Sequence, residues 1–350
     1  MKKRGNRKKK RIVFAIVNGA LLLIMAACLI TTAILSNTLA SQKEASRWRG
    51  ESNMEFSQIS CFIPVDEKIG LEEVSAFRTK LTEALHTAAL DIGNDSTLFV
   101  DAWSCTGKVN VSSDNGKGEA AVIAVGGEFF DFHPIRLISG SYITQRDLMK
   151  DRVLLDEDLA WLLYGGTDIA GLSMKINGVP YMIAGVVERE QDKFSTAAYT
   201  SGRGLYMSYD GYSQLVEDAG ITCYEFVMAN PVKDFALGVA KESFPIGRGE
   251  IVENSRRFEF GRLLKLARQF GSRSMQTMGV IYPYWENAAR SVEDWCALLT
   301  LVAVVCAALP VITALVLLIR MLARGKEKLE DDVVPKLVEN TQEAIRVRQR

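Results

Sequence analysis

The sequence predicts an α+β domain outside the cytoplasm, carried on two membrane-spanning helices. Three observations lead there: two long uncharged apolar runs near the ends of the chain, basic residues flanking both runs on one side, and two strand–helix–strand units that bracket a β-rich stretch.

The spans come first. Ile12 to Leu35 reads IVFAIVNGALLLIMAACLITTAIL and Cys296 to Ile319 reads CALLTLVAVVCAALPVITALVLLI, both without a charge. About 20 apolar residues cross the hydrocarbon core. In that medium the backbone must satisfy its own hydrogen bonds, so each run is expected to be helical. Thr38-Leu39-Ala40 resembles a cleavage site, but an h-region holds only about 7–15 residues, so the first run reads as a retained span. Ala15 and Gly19 are either a small-residue contact face or merely small side chains facing lipid. Pro310 is expected to kink the second span.

Orientation follows from the flanks. Lys2, Lys3, Arg4, Arg7, Lys8, Lys9, Lys10 and Arg11 precede the first span, and Arg320, Arg324, Lys326 and Lys328 follow the second. Basic flanks remain cytoplasmic, and Trp295 stands where an interfacial aromatic belongs. Both termini are therefore expected in the cytoplasm of a plasma membrane protein, with residues about 40–294 outside. The formal net charge of zero conceals a partition. Removing the eight cations of the arm, and the eight cations and six anions from Arg320 onward, leaves 26 basic against 36 acidic residues, a net of −10 outside. That argues against nucleic acid as a partner, since phosphate binding requires a basic surface. The basic arm is assigned to membrane lipid.

Between the spans, Ser36–Glu55 is polar and reads as a stalk extending the first helix. Phe56–Val65 alternates as a strand. Leu71, Val74, Phe77, Leu81 and Leu85 recur at helical spacing, giving a helix over Leu71–Leu90. Thr97–Cys105 is a second strand. Ala121–Val125 and Val153–Leu155 are strand-like, and Asp156 is placed to cap a helix over Glu157–Tyr164. Leu172–Ile176 and Val179–Val187 form a hairpin around Asn177-Gly178, a pair suited to a type I′ turn. Leu205–Tyr209 and Cys223–Ala229 are strands. A helix is expected over Val232–Glu242 after Asn230-Pro231, then a strand at Ile251–Glu253, and helix over Phe258–Phe270. Trp285–Asp294 reads as a second stalk helix running into the membrane. The domain reading is a basic arm (1–11), first span (12–35), stalk (36–55), first half of the α/β subdomain (56–119), β-rich insert (120–215), second half (216–255), helical stalk region (256–294), second span (295–320) and charged tail (321–350).

No chemistry is legible. The sequence has no GxxxxGK[ST] loop, and Gly126-Gly127 and Gly165-Gly166 read as turn glycines. Asp156, Glu157 and Asp158 sit at a helix start, where negative charge complements the dipole. His133, beside Phe132 and Pro134, reads as structural. Ser201-Gly202-Arg203-Gly204 lacks the hydrolase elbow arrangement. With two histidines and no CxxC pair, a zinc site has no support. No catalytic, cofactor-binding or metal-ligating residue is assigned, and the chain is not expected to be an enzyme. Cys28, Cys296 and Cys306 are placed in the spans. Cys61, Cys105 and Cys223 lie outside, where one disulfide could form.

Within Gly126–Glu188, Phe129 to Pro134, Leu137, Gly140, Asp147, Val153-Leu154-Leu155-Asp156 with Ala160, the hairpin from Gly171 to Gly178, and Ala184-Gly185-Val186-Val187 recur in an order and spacing that resemble the MacB-like periplasmic core domain of MacB/FtsX-type ABC transporter permeases. The resemblance implies a split ferredoxin-like, porter-like subdomain carrying the β-rich insert. It implies a non-catalytic role, in which the outer domain transmits ATP-driven movement to a substrate or partner. It also implies a separate ABC ATPase and a multi-span permease subunit, or self-association, because such permeases have further spans. The alternative is a stand-alone extracellular binding or sensor module anchored by two helices without an ATPase. In the implied strand order the Cys223 strand lies between those of Cys61 and Cys105, so Cys223 would bridge one of them or all three stay reduced. A proline pair within Glu286–Arg290 would be expected to spare the outer domain and abolish function.

Overall fold

The computed structural model describes residues 2–51, 53–67, 69–88, 99–199, 204–269, 271, 273, 276 and 278–328. The Ser201-Gly202-Arg203 segment, the expected strand start at Thr97 and most of the charged tail lie outside these residues. The chain divides into two compact units, Met1–Ala33 with Leu298–Arg350, and Ile34–Ala297.

The first unit holds most of the two apolar helices. Helix α1 is Lys2–Thr38. The last helix, Tyr284–Lys328, continues through Pro310. Both are long and apolar enough to cross a membrane. A Cβ added at Gly19 would meet open space, so the Ala15–Gly19 pair makes no close helix contact here.

The second unit is built on one mixed sheet. In chain order its elements are α2 (Glu44–Arg49), β1 (Phe56–Phe62), α3 (Leu71–Thr87), β2 (Phe99–Ser112), β3 (Lys117–Gly127), α4 (Phe129–Phe132), β4 (Leu137–Gly140), β5 (Arg152–Asp156), α5 (Glu157–Tyr164), β6 (Ser173–Ile176), β7 (Val179–Val187), α6 (Lys193–Ala198), β8 (Gly204–Ser208), α7 (Tyr209–Ser213), β9 (Cys223–Ala229), α8 (Phe235–Ser243), β10 (Glu250–Glu253), α9 (Phe260–Leu266) and α10, the last helix. The strands run β10-β1-β9-β2-β3-β8-β5-β7-β4, with β6 pairing β2 and β7. Taken alone, β1-α3-β2 and β9-α8-β10 give the antiparallel order fourth–first–third–second of a ferredoxin-like fold. Strands β3 to β8 are the insert, joined to the first part because β2 is long enough to pair with both. The fold is thus α+β, as the sequence predicts.

The pleat sorts side chains into two cores. On one face Val74, Phe77, Leu81 and Leu85 of α3 and Ala236 and Ala240 of α8 cover Tyr224, Phe226 and Met228 of β9. Phe77 meets Tyr224, Phe226 and Phe244 edge to face, with ring centroids 5.6, 5.5 and 5.0 Å apart. On the other face Ala45 of α2, Phe129 and Phe132 of α4 and Trp285 of α10 cover Phe62, Cys223 and Val227. Local signals hold where the expectation was local. Asp156 Oδ1 accepts from Leu159 N at 2.8 Å. Asn177 and Gly178 take φ of 50° and 87°, the left-handed values a type I′ turn requires.

Four expectations need correcting. The stalk over Ser36–Glu55 is not one helix: α1 ends at Thr38 and a short 3-10 turn, Ala40–Gln42, leads into α2. Gln58 of β1 causes this, accepting from Glu44 N at 3.0 Å and donating to Ser41 O at 2.7 Å. That ties the segment to the sheet and buries Gln42, Glu44 and Ala45. Helix α8 starts three residues later than expected, at Phe235. Asp234 is left-handed at φ 64°, and the Asn230 side chain accepts from Ala236 N at 3.1 Å. The expected helix over Phe258–Phe270 shortens to α9. Gly126 lies inside β3 rather than in a turn, and only Gly127, at φ 68°, ends the strand.

The cysteines divide between the faces. Strand β9 does lie between β1 and β2, with Cys223 opposite Phe62 and Ser104. Cys61 and Cys105 therefore point to the face of Tyr224, and Cys223 to the opposite one. Cys61 and Cys105 share a face but stand two strand spacings apart, roughly 9.5 Å, beyond the about 7 Å that a disulfide can span. No bridge fits. Burial pushes Cys61 and Cys223 well up, and Cys105 up to about 12, which keeps them as unreactive thiols. Denaturing alkylation without reductant is expected to label all three; one blocked pair would refute this register.

Candidate functional site

The chemically unusual part of the Ile34–Ala297 unit is a cluster of buried ions where the first turns of α10 meet the sheet. Three side chains of α10 supply it, at the 3–4 residue spacing that puts them on one helical side: Glu286, Arg290 and Glu293, all buried. Arg257 enters from the turn after β10 and is 2% exposed. It forks onto Glu286, with Nη2 2.6 Å from Oε1 and Nη1 2.8 Å from Oε2. Its Nε lies 3.0 Å from Glu293 Oε1. Arg290 Nε bonds Glu286 Oε1 at 2.6 Å, and its Nη2 bonds Glu250 Oε2 of β10 at 2.7 Å. Arg273 reaches Glu293 Oε2 at 3.0 Å. Tyr282 donates to Glu250 at 2.5 Å and offers its ring face to Arg290, 3.7 Å away.

Three arginines thus face three glutamates, so the cluster is neutral. Burial alone would raise the Glu286 carboxyl, but Arg257 and Arg290 outweigh it and hold Glu286 below the usual carboxylate range. Burial would likewise lower Arg257, and Glu286 and Glu293 outweigh it and push it up. Ionised forms are what this geometry selects.

The cluster continues into the sheet as a chain of hydrogen bonds. Arg257 Nη1 donates to Gln42 Oε1 at 2.9 Å and to Asn254 Oδ1 at 3.4 Å. Asn254 Nδ2 donates to Ser60 Oγ at 2.6 Å, and Ser60 Oγ to Glu225 Oε1 at 2.7 Å. Glu225 Oε2 is 2.5 Å from His133 Nε2. The His133 ring packs, tilted, against Trp285 of α10 at 4.3 Å, which returns the chain to the helix where it began. His133 is 3% exposed, packs against Phe129 at 4.5 Å and bonds Glu225.

The acidic triplet behaves as a cap. Asp156 accepts from Leu159 N and from Gly204 N, the latter at 2.5 Å, and Arg189 stands 3.7 Å away. Burial pushes the Asp156 carboxyl up to about 6 against those three attractions. Among the described residues no group of three His, Cys, Asp or Glu side chains is placed to hold a metal ion. Sequence reasoning did not find the ion cluster. Its visible trace was Glu225, a lone carboxylate inside the fully buried strand CYEFVMA, which must find a buried partner.

Residues 16–236 match the family model described as "MacB-like periplasmic core domain". No curated protein matches. Among solved structures, the extracellular domain of the noncanonic ABC-type transporter YknZ from Gram-positive bacteria is 12% identical, with a TM-score of 0.38, and the match covers 54% of this chain and 92% of that one. The periplasmic region of MacB from Actinobacillus actinomycetemcomitans is 14% identical, with a TM-score of 0.37, over 56% and 88%. A domain of a putative permease protein from Porphyromonas gingivalis is 14% identical, with a TM-score of 0.33, over 57% and 88%. The family match extends over well over half of the chain, from within α1 to α8, and on that ground the chain belongs to the family of the MacB-like periplasmic core domain, a membrane protein of the ABC transporter permease class with its folded unit outside the cytoplasm.

Proposed function

We propose that this chain is a non-catalytic component of an ABC-type export or mechanotransmission complex, coupling movement at the membrane to a substrate or partner outside. Both termini lie in the cytoplasm in this reading, and residues about 40–294 lie outside, organised as a split α/β subdomain (56–119 and 216–255) around the insert (120–215). A separate ABC ATPase and a multi-span permease subunit, or a second copy, are the partners, with lipid around the spans.

The observation that carries the reading is α10. One helix, Tyr284–Lys328, holds both an apolar run long enough to span and the residues that lock into the sheet through the ion cluster. A continuous helix resists bending because bending breaks its backbone ladder. Axial displacement of such a helix is therefore delivered to β10 and β1 rather than absorbed by a loop.

The test has two arms. A cysteine at Gly178 should react with a membrane-impermeant maleimide in intact cells, while tags at both termini stay protected; Cys61, Cys105 and Cys223, the native thiols between the spans, are buried and keep the background low. The full chain, purified in mild detergent from its own membranes, should bring down a nucleotide-hydrolysing subunit. Correct topology without any such subunit would favour the sensor module, and an external C-terminus would overturn the orientation.

A further inference from the structure

Helix α9 is fixed at the level where the second span begins. Its buried Leu263, with Leu266 beside it, packs in one apolar cluster with Val292, Cys296 and Ala297 of α10 and with Leu35 and Leu39 at the end of the first span. We propose that α9 lies in the headgroup layer of the membrane and gathers anionic phospholipid there through Lys265 and Arg268. The inference needs the two spans and neither their orientation nor an ATPase.

Two lengths set the depth. The charge-free run Cys296–Ile319 holds 24 residues, about 36 Å of helix at 1.5 Å per residue. The hydrocarbon core is about 30 Å thick, and the headgroup layers bring the bilayer to about 40–45 Å. The run therefore overreaches the hydrocarbon, and its first residues, Cys296 and Ala297, stand at the edge of a headgroup layer. Trp295, 46% exposed, occupies the same level, as an interfacial aromatic does. Since α9 touches these residues, lipid headgroups are the neighbours of its free side.

That free side has the chemistry of the boundary. Phe260, Leu264 and Arg268 recur every fourth residue and so run along one side of the helix, with Lys265 next to them. Arg268 lies just past the end of α9, but the turn continues, with Arg268 N donating to Lys265 O at 3.3 Å and Gln269 N to Leu266 O at 2.7 Å. Phe260 is 56% exposed, and Lys265 and Arg268 are exposed. A ring of this kind enters the acyl boundary, while long basic side chains lift their charge to the phosphates.

Charge selects the lipid. Residues 256–273 contain six cations, Arg256, Arg257, Arg262, Lys265, Arg268 and Arg273, against one acid, Glu259. Four of the six are taken by carboxylates: Arg256 by Asp234 and Glu259, Arg257 by Glu286 and Glu293, Arg262 by Glu253, and Arg273 by Glu293. Lys265 and Arg268 have no carboxylate partner among the described residues, so their charges are open to phosphate. Cations in a last turn also complement the helix dipole, but that interaction would hold in any lipid and confer no preference.

Fluorescence of Phe260→Trp in the full chain tests the proposal, in phosphatidylcholine vesicles with about a tenth of the lipid brominated on its acyl chains. The signal is read as the difference from the parent, whose five tryptophans are common to both. Brominated phosphatidylcholine should quench the added indole. The same fraction of brominated phosphatidylglycerol should quench it about fivefold more, the equivalent of the about 1 kcal/mol that one cation gains near an anionic surface. Lys265→Gln combined with Arg268→Gln should bring phosphatidylglycerol down to the phosphatidylcholine level and leave the latter unchanged. All three side chains are exposed, so the substitutions spare the fold, and brominated lipid in both leaflets makes the result independent of the direction of insertion. Quenching by neither lipid would assign the free side of α9 to another protein subunit and overturn the proposal. Equal quenching by both lipids, or a phosphatidylglycerol excess that survives the double substitution, would overturn it as well.

Discussion

Replacing Arg257 with alanine is expected to remove a large share of the stability of the extracytoplasmic unit. Arg257 is the hub of the buried cluster, paired with Glu286 and Glu293 and linked to Gln42. Removing one partner of a buried ion pair costs about 3–5 kcal/mol, because the other charge stays buried without compensation. Domains of this kind hold about 5–15 kcal/mol in total, so the loss is a large share of the whole. The sign of the pH response is a second check. In the parent protein Glu286 is held below the usual carboxylate range, so its contribution is complete above the unfolded carboxylate pKa of about 4.3 and fades as acid protonates it. In Arg257→Ala, Glu286 keeps only one of its two arginines and gains from protonation. The deficit relative to the parent should therefore shrink as pH falls toward 4. Denaturant melts of parent and variant at pH 7.5 and pH 4.5 measure both quantities. A loss under 1 kcal/mol at pH 7.5 would show that the cluster is peripheral to the fold.

Ala289→Pro is expected to unfold the same unit, contrary to what the sequence suggests. Read as a stalk, Glu286–Arg290 should tolerate proline with the domain intact. The structure instead buries the whole stretch, with Glu286 at 1%, Ala288 at 1%, Ala289 at 0% and Arg290 at 2% exposure. Ala289 packs with Val292, Cys296, Leu39 and Leu263. Proline there removes the backbone bond to residue 285 and clashes with that carbonyl, at about 3 kcal/mol or more. The resulting bend also moves Glu286 and Arg290 out of register with Arg257. Limited proteolysis of the full chain in detergent should change from a resistant outer fragment to complete digestion. A variant that kept the resistant fragment would restore the stalk reading.

The contrast between the two kinds of feature explains what the sequence could disclose. Asp156 and Asn177-Gly178 act on residues two or three positions away, so their roles follow from local geometry. The spans are legible because hydrocarbon imposes one solution on an uncharged run of that length. The ion cluster draws on Gln42, Glu250, Asn254, Arg257, Arg273 and the α10 side chains. Only Glu286 and Arg290, four residues apart, could be paired by eye. The segment after α1 misleads for the same reason: its polar residues look solvent-facing, and the partners that pull them inward, Gln58 and Arg257, lie far along the chain. The seeming candidate for a disulfide fails on pleat parity, which depends on register across three strands.

The pairing of β1 also bears on how the protein is made. Its partners are β9 and β10 alone, and the nearer of them begins at Cys223 and ends at Ala229. At roughly 5–20 residues per second, the ribosome needs on the order of 10–30 s after completing β1 to finish β9. Through that interval FSQISCF is an apolar strand with both edges unpaired, the kind of segment that seeks another chain. The insert waits less, since β2 with β3 and β6 with β7 close as hairpins and its last strand, β8, ends at Ser208. A released chain truncated shortly before residue 223 should therefore carry a protease-resistant insert beside an open β1, and β1 is the segment that a holding chaperone would have to cover.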